Sequence, residues 1–222
     1  MTKKIFLSAL IAMLIIFAVA CGNEQNKKQI VPVDSQDRYK SVYSKSVFLG
    51  DSLLTGLADE LEDSNVISNA GATALFSLKE VDNIASKKPE NVFILLGSDD
   101  LLWPVDNPVE ESLMNYTKLI EEIKGKLPNV KVYVLSVPLV TKEAMKVEPR
   151  YKNIPDYNKA LEKMAATEKI DYIALSPIFE KHQNLYDKDG IHFTASFYPL
   201  LLDHIENYFH SSKNNGEVRD GL

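Results

Sequence analysis

Residues 91–100 read Asn91-Val92-Phe93-Ile94-Leu95-Leu96-Gly97-Ser98-Asp99-Asp100. Five apolar residues follow one another without a polar break and stop at a glycine. A strand with one wet face alternates polar and apolar residues; an unbroken run of this length suits a strand buried on both faces. Such a strand needs helices above and below it, and amphipathic stretches flank it on both sides. Upstream, residues 74–86 carry Leu75, Leu78, Val81 and Ile84 at helical spacing. Downstream, residues 109–126 set Leu113, Tyr116, Leu119, Ile120 and Ile123 along one side.

The same alternation continues outward. Residues 46–49 (SVFL), 66–68, 130–137 (VKVYVLSV, ended by Pro138) and 172–175 read as further strands. Residues 53–61, 156–167 and 195–209 read as helices. Five strands alternating with helices predict an α/β fold: a three-layer α/β/α sandwich around a five-stranded parallel sheet. Residues 139–155 form the longest irregular stretch and read as a loop at the rim. One domain over residues 39–210 accounts for the pattern, with no internal repeat. Ligands of such sheets bind outside the carboxyl ends of the strands, so functional residues should follow strands directly.

The chain has 222 residues, 45% hydrophobic and 25% charged, with a net charge of −6. No basic patch supports nucleic-acid binding, and the acidic balance disfavours electrostatic docking on anionic lipid. The single cysteine, Cys21, excludes an internal disulfide, and no cysteine–histidine cluster is spaced for zinc. Asp187-Lys188-Asp189-Gly190 is only a fragment of a calcium loop, and no glycine-rich phosphate loop follows the first strand. Asp99 and Asp100 could share a metal, but nothing else supplies a ligand pattern. No metal and no cofactor are expected.

The N-terminus reads as an address. Lys3 and Lys4 precede an apolar run from Ile5 to Ala20, with small residues immediately before Cys21. This is the tripartite pattern of a secretory signal, and the run is short for a bilayer span. Ala18-Val19-Ala20-Cys21-Gly22 resembles a bacterial lipoprotein signal. That implies cleavage before Cys21, lipidation of its thiol, and anchoring on the extracytoplasmic face of a bacterial cell membrane. An uncleaved N-terminal anchor is the alternative. Residues 1–20 are thus expected to be a signal peptide and 21–38 a flexible tether. Residues 211–222 (SSKNNGEVRDGL) are expected to be a disordered tail.

Ser52 falls just after the first strand, in Gly50-Asp51-Ser52-Leu53. At a strand-to-helix turn its hydroxyl is exposed, and the first N–H groups of the helix point at whatever it attacks. A serine nucleophile needs a base. Asp189-Gly190-Ile191-His192 offers His192, with Asp189 folded back by the Asp-Gly turn to hold the imidazole; Asp187 competes for that role. A plain helix N-cap is the alternative reading of Ser52. Trp103, in LLWP after the third strand, lines a substrate pocket or anchors loop packing.

Four blocks in order carry a resemblance to a family. VFLGDSLLTG (47–56), SNAGAT (68–73), LLGSDD (95–100) and DGIHFT (189–194) resemble the successive motifs of the SGNH/GDSL hydrolases, over about residues 46–209. The resemblance implies a flavodoxin-like SGNH hydrolase fold and a serine esterase or acylhydrolase that cleaves carboxylic esters. Its substrates would be short acyl esters, lipids or acetylated glycans. It implies Ser52 as nucleophile, His192 as base and Asp189 as its partner. The oxyanion hole would use the N–H groups of Ser52 and Gly71. Its third donor would be an asparagine, and here Asp99 stands in that position.

An ionised carboxylate cannot donate a hydrogen bond. Losing one oxyanion donor costs on the order of 3–4 kcal/mol. A negative charge about 4 Å away adds repulsion of order 4 kcal/mol at an effective dielectric near 20. Asp99 therefore must be protonated or turn away, or the protein is a catalytically weak binder of wall polymer or a partner. The same triad could also serve an O-acyltransferase.

Overall fold

The structure, a computed structural model, describes residues 35–217. Its centre is a sheet of β1 (Ser46–Gly50), β2 (Val66–Ser68), β3 (Asn91–Leu95), β4 (Lys131–Leu135) and β5 (Asp171–Ile173). The order is β2-β1-β3-β4-β5 and every pairing is parallel. The helices are α1 (Ser35–Val42), α2 (Ala74–Ser77), α3 (Val81–Ser86), α4 (Pro108–Lys126), α5 (Lys142–Val147), α6 (Ile154–Thr167), α7 (Ser176–Lys181) and α8 (Phe197–Glu217).

Alternation along each strand feeds two separate cores. Val47 and Leu49 of β1, Val92 and Ile94 of β3, and Val132 and Val134 of β4 face one side, where α3, α4 and α6 cover them. Phe48, Phe93, Leu95, Tyr133 and Leu135 face the other side, where α1, α7 and α8 cover them. The period of two in the pleat makes this division automatic. The parallel register aligns Phe48, Phe93 and Tyr133 across three strands. Their rings stack with centroids 4.7 and 4.9 Å apart. This is the three-layer sandwich that the apolar runs predict.

Four stretches differ from the sequence reading, and α7 (Ser176–Lys181) lies where that reading expects no element. Residues 52–59 wind as a tight 3-10 helix rather than an α-helix, with the Tyr198 ring packed against Gly56. The expected helix over 74–86 is interrupted at residues 78–80, so Val81 and Ile84 are buried while Leu75 is left 39% exposed. The stretch 139–155 is not irregular: it holds α5, a 3-10 turn and the start of α6. Thr141 begins α5 by accepting the Ala144 N–H (3.2 Å).

The fourth difference lies at the ends. Residues 35–38, expected within the tether, begin α1. There Arg38 pairs with Asp203 and Glu206 of α8, and the Tyr39 hydroxyl donates to Asp203 (2.9 Å). Helix α8 continues to Glu217, into the expected tail. The expected signal peptide, Cys21 and the rest of the tether lie outside the described residues. Among the described residues no helix is long and apolar enough to cross a membrane.

Candidate active site

The ends of β1, β2 and β3 and one hairpin beyond β5 meet at the carboxyl edge of the sheet. At the end of β1 the chain leaves the ladder at Gly50 and turns through Asp51. The Asp51 side chain accepts the Leu53 N–H (2.9 Å), which places Ser52 first in the 3-10 helix with its side chain partly exposed. The Ser52 N–H donates to no group among the described residues.

The hairpin over 185–194 is closed by Thr194 N–H to Leu185 O (2.8 Å) and Asp187 N–H to His192 O (2.8 Å). Its tip turns through Asp189 and Gly190. Asp189 Oδ1 accepts the N–H groups of Ile191 and His192, each at 2.9 Å, and Oδ2 lies 2.6 Å from His192 Nδ1. His192 Nε2 lies 2.8 Å from Ser52 Oγ. Three residues picked from the two ends of the domain thus form one hydrogen-bonded chain. Asp187 does not compete: its side chain accepts the Lys188 N–H (2.7 Å). Partial burial pushes the Asp189 carboxyl up, but the bonds from His192 and the two N–H groups outweigh it and hold it below the usual range. A carboxylate so held stays ionised and fixes the tautomer with Nε2 free to face the hydroxyl.

Gly71 sits in the turn after β2 with φ +72°, a conformation glycine adopts without penalty. The Asn69 N–H bonds to Gly50 O (3.2 Å), which draws this turn against the Ser52 turn. The Gly71 N–H, like that of Ser52, is unused among the described residues.

Asp99 follows β3. Its carboxyl makes no hydrogen bond among the described residues and is only partly exposed. Burial pushes its pKa up, and the charge of nearby His192 pulls it partly back. Two neighbours are fully engaged: Asp51, which sequence reasoning left without a role, and Asp100, which it weighed only as a metal ligand beside Asp99. Asp51 is 1% exposed and its second oxygen accepts the Ser98 hydroxyl (2.6 Å). Burial pushes its pKa up to about 7, against the pull of Ser98 and the Leu53 N–H. Asp100 accepts the Ala74 N–H (3.1 Å) and the Ser112 hydroxyl (2.7 Å), and burial raises it too. It is therefore spent inside the protein rather than aimed outward with Asp99 at a metal. The signal in the sequence was the run of acids after apolar strands, where a carboxylate must find donors or a proton.

Trp103 lies just beyond this turn, 38% exposed, with its ring edge-to-face against Phe76 of α2 (5.0 Å). Both aromatics rise from segments that adjoin Gly71 or Asp99.

A family model, GDSL-like Lipase/Acylhydrolase, matches residues 48–200. No curated protein matches the chain significantly. Among solved structures, a GDSL-like lipase from Bacteroides thetaiotaomicron superposes with a TM-score of 0.60 at 18% identity, covering 80% of this chain and 98% of that one. A lipase/acylhydrolase from Enterococcus faecalis gives 0.59 at 21% identity, with 76% and 96% covered. An acetylxylan esterase from Geobacillus stearothermophilus gives 0.54 at 16% identity, with 72% and 91% covered. At these identities the structures speak for the fold, and the family match carries the rest. The chain belongs to the GDSL-like lipase/acylhydrolase family and, as a member, is an ester hydrolase.

Proposed function

We propose that this protein is a serine esterase anchored by lipid on the extracytoplasmic face of a bacterial membrane. In this reading it removes acetyl or other short acyl groups, including those carried on cell-wall carbohydrate. The observation that carries the reading is the continuous chain Ser52 Oγ to His192 Nε2 (2.8 Å) and His192 Nδ1 to Asp189 (2.6 Å).

Ser52 Oγ attacks the ester carbonyl carbon and His192 Nε2 takes its proton. Asp189 holds the ring and stabilises the imidazolium. The carbonyl oxygen becomes an oxyanion at the free N–H groups of Ser52 and Gly71. His192 returns the proton to the leaving alkoxide, and the acyl group stays on Ser52. Water, deprotonated by His192, then attacks the acyl-serine; the acyl–Oγ bond breaks, the acid leaves and Ser52 Oγ takes the proton back from His192. Asp99 serves as third donor in its neutral form, and its half-buried, raised carboxyl supports that role.

Acetylated carbohydrate as substrate draws support from the likeness to an acetylxylan esterase and from the lipoprotein-type N-terminus beside a cell wall. Hydrolysis of p-nitrophenyl acetate by the purified chain tests the chemistry: turnover should vanish in Ser52→Ala. Turnover that survives this change refutes the nucleophile assignment. Radiolabelled fatty acid should mark the wild type and not Cys21→Ser; equal labelling removes the lipid anchor from the reading.

A further inference from the structure

Three turns supply the oxyanion groups of the proposed site, and the sheet does not hold them. The ladder ends at the pairs Gly50↔Ser68 and Gly50↔Leu95, so Ser52, Gly71 and Asp99 all lie beyond its last bonds. The last rung of that ladder and two side-chain ties beyond it close a triangle among the turns. The Asn69 N–H reaches Gly50 O, joining the β2 turn to the β1 turn. Asp51, from the β1 turn, takes the hydroxyl of Ser98 in the β3 turn. Asp100, from the β3 turn, takes the N–H of Ala74, where α2 leaves the β2 turn.

Asp100 is itself held from behind. Ser112 of α4 donates its only hydroxyl proton to Asp100, so the Tyr157 hydroxyl of α6, 2.7 Å from Ser112 Oγ, must donate to Ser112. The Tyr157 ring packs where a Cβ on Gly97 would fall 2.3 Å from it, and Gly97 has φ +130°. The chain of bonds thus runs from the α6 and α4 layer to the loop that carries Gly71. Asp51, Ser98, Asp100 and Ser112 are all buried. Buried carboxylates are a costly way to hold segments together where packed apolar side chains would do. They do fix direction and distance.

We propose that Asp51 and Asp100 are positioning residues that cross-brace the three turns so that Ser52 N–H, Gly71 N–H and Asp99 converge on one oxyanion. The proposal rests on the serine-esterase reading. Its signature is a loss confined to kcat, because the donors act on charge that develops only in the transition state.

The test uses the full chain with p-nitrophenyl acetate, kcat and KM being measured separately. Ser98→Ala cuts the β1–β3 brace with little change in shape. It should lower kcat about tenfold, and Asp100→Ala about 100-fold, with KM within about twofold, since misplacement by 1 Å costs roughly that much. Asp100→Asn keeps an acceptor for Ala74 N–H and should recover most of the loss. If Asp100→Ala does not fold, Ser98→Ala and Asp100→Asn still decide. A kcat within about twofold of wild type in folded Ser98→Ala, or a loss carried by KM alone, overturns the brace. Turnover that survives Ser52→Ala fails the esterase reading itself and takes the brace with it, an outcome distinct from an intact nucleophile with an indifferent Ser98.

Discussion

Asp189 and Asp51 are the same residue type at two sides of one site, and their surroundings push them in opposite directions. The Asp189 side chain is 46% exposed and faces three donors, and its carboxyl is held below the usual range. Asp51 is 1% exposed with two donors, and its carboxyl is pushed up to about 7. Asp99 and Asp100, on the Asp51 side, are raised as well. The hairpin side therefore keeps a fixed negative charge beside a histidine that must become positive. The turn side is dry and reluctant to hold negative charge. In the proposed mechanism this split suits the charges, because carboxyls kept neutral on the turn side do not repel the oxyanion held by its N–H groups, and the fixed charge on the hairpin side stabilises the imidazolium.

The largest break in that comparison comes from removing the fixed charge. Asp189→Asn leaves a group of the same shape at the hairpin tip but favours the wrong imidazole tautomer and cannot stabilise the imidazolium. In the Ser-His-Asp template the equivalent change costs about 10⁴ in kcat, and a loss of order 10³–10⁴ is expected here. Steady-state turnover of p-nitrophenyl acetate measures it. A loss under about tenfold would mean that Asp189 only shapes the turn.

Much of this architecture was legible in the sequence. The two-faced apolar runs gave the strands because the pleat forces alternate residues into separate cores. The turn positions of Ser52, Gly71 and Asp99 followed from where those runs stop. The Asp-Gly turn and three-residue spacing were enough to pair Asp189 with His192, since that contact is local. What stayed hidden was of two kinds. The braces through Asp51, Ser98, Asp100 and Ser112 join residues far apart in the chain by hydrogen bonds, and no periodicity records them. The breaks in helical winding at residues 52–59 and 78–80 came from tertiary packing and capping, which override propensity. Leu75 shows this directly: it fits the helical period and faces outward all the same.

A smaller effect sharpens the comparison on the turn side. Only neutral Asp99 can donate, and its raised pKa places the loss of that proton above the ordinary carboxylate range. Activity should decline with increasing pH as Asp99 ionises. Asp99→Asn supplies a donor at every pH. It should abolish the decline and exceed wild type on the alkaline side by up to about 10²–10³-fold, the worth of one oxyanion donor. A pH–rate profile of kcat for both proteins decides. An Asn variant no faster than wild type at any pH would show that the charge of Asp99 does not limit the rate.

The smallest expected effect is on stability and isolates Asp51 from catalysis. Its carboxyl titrates near 3.9 when the chain is unfolded and at about 7 when folded. Between those values the folded state binds the proton that the unfolded state releases. The resulting contribution to stability is complete below about pH 4 and is lost as pH rises toward 7. Asp51→Asn cannot ionise; its amide oxygen can still accept the Leu53 N–H, and its NH₂ can face Ser98 Oγ. The wild-type melting temperature should therefore fall relative to the variant from pH 4 to pH 8, by several degrees if ~2 kcal/mol of the linkage is realised. Thermal melts followed by circular dichroism across that range measure the gap. Parallel curves would mean that Asp51 stays ionised in the fold, and the contrast with Asp189 would then be one of solvent exposure alone.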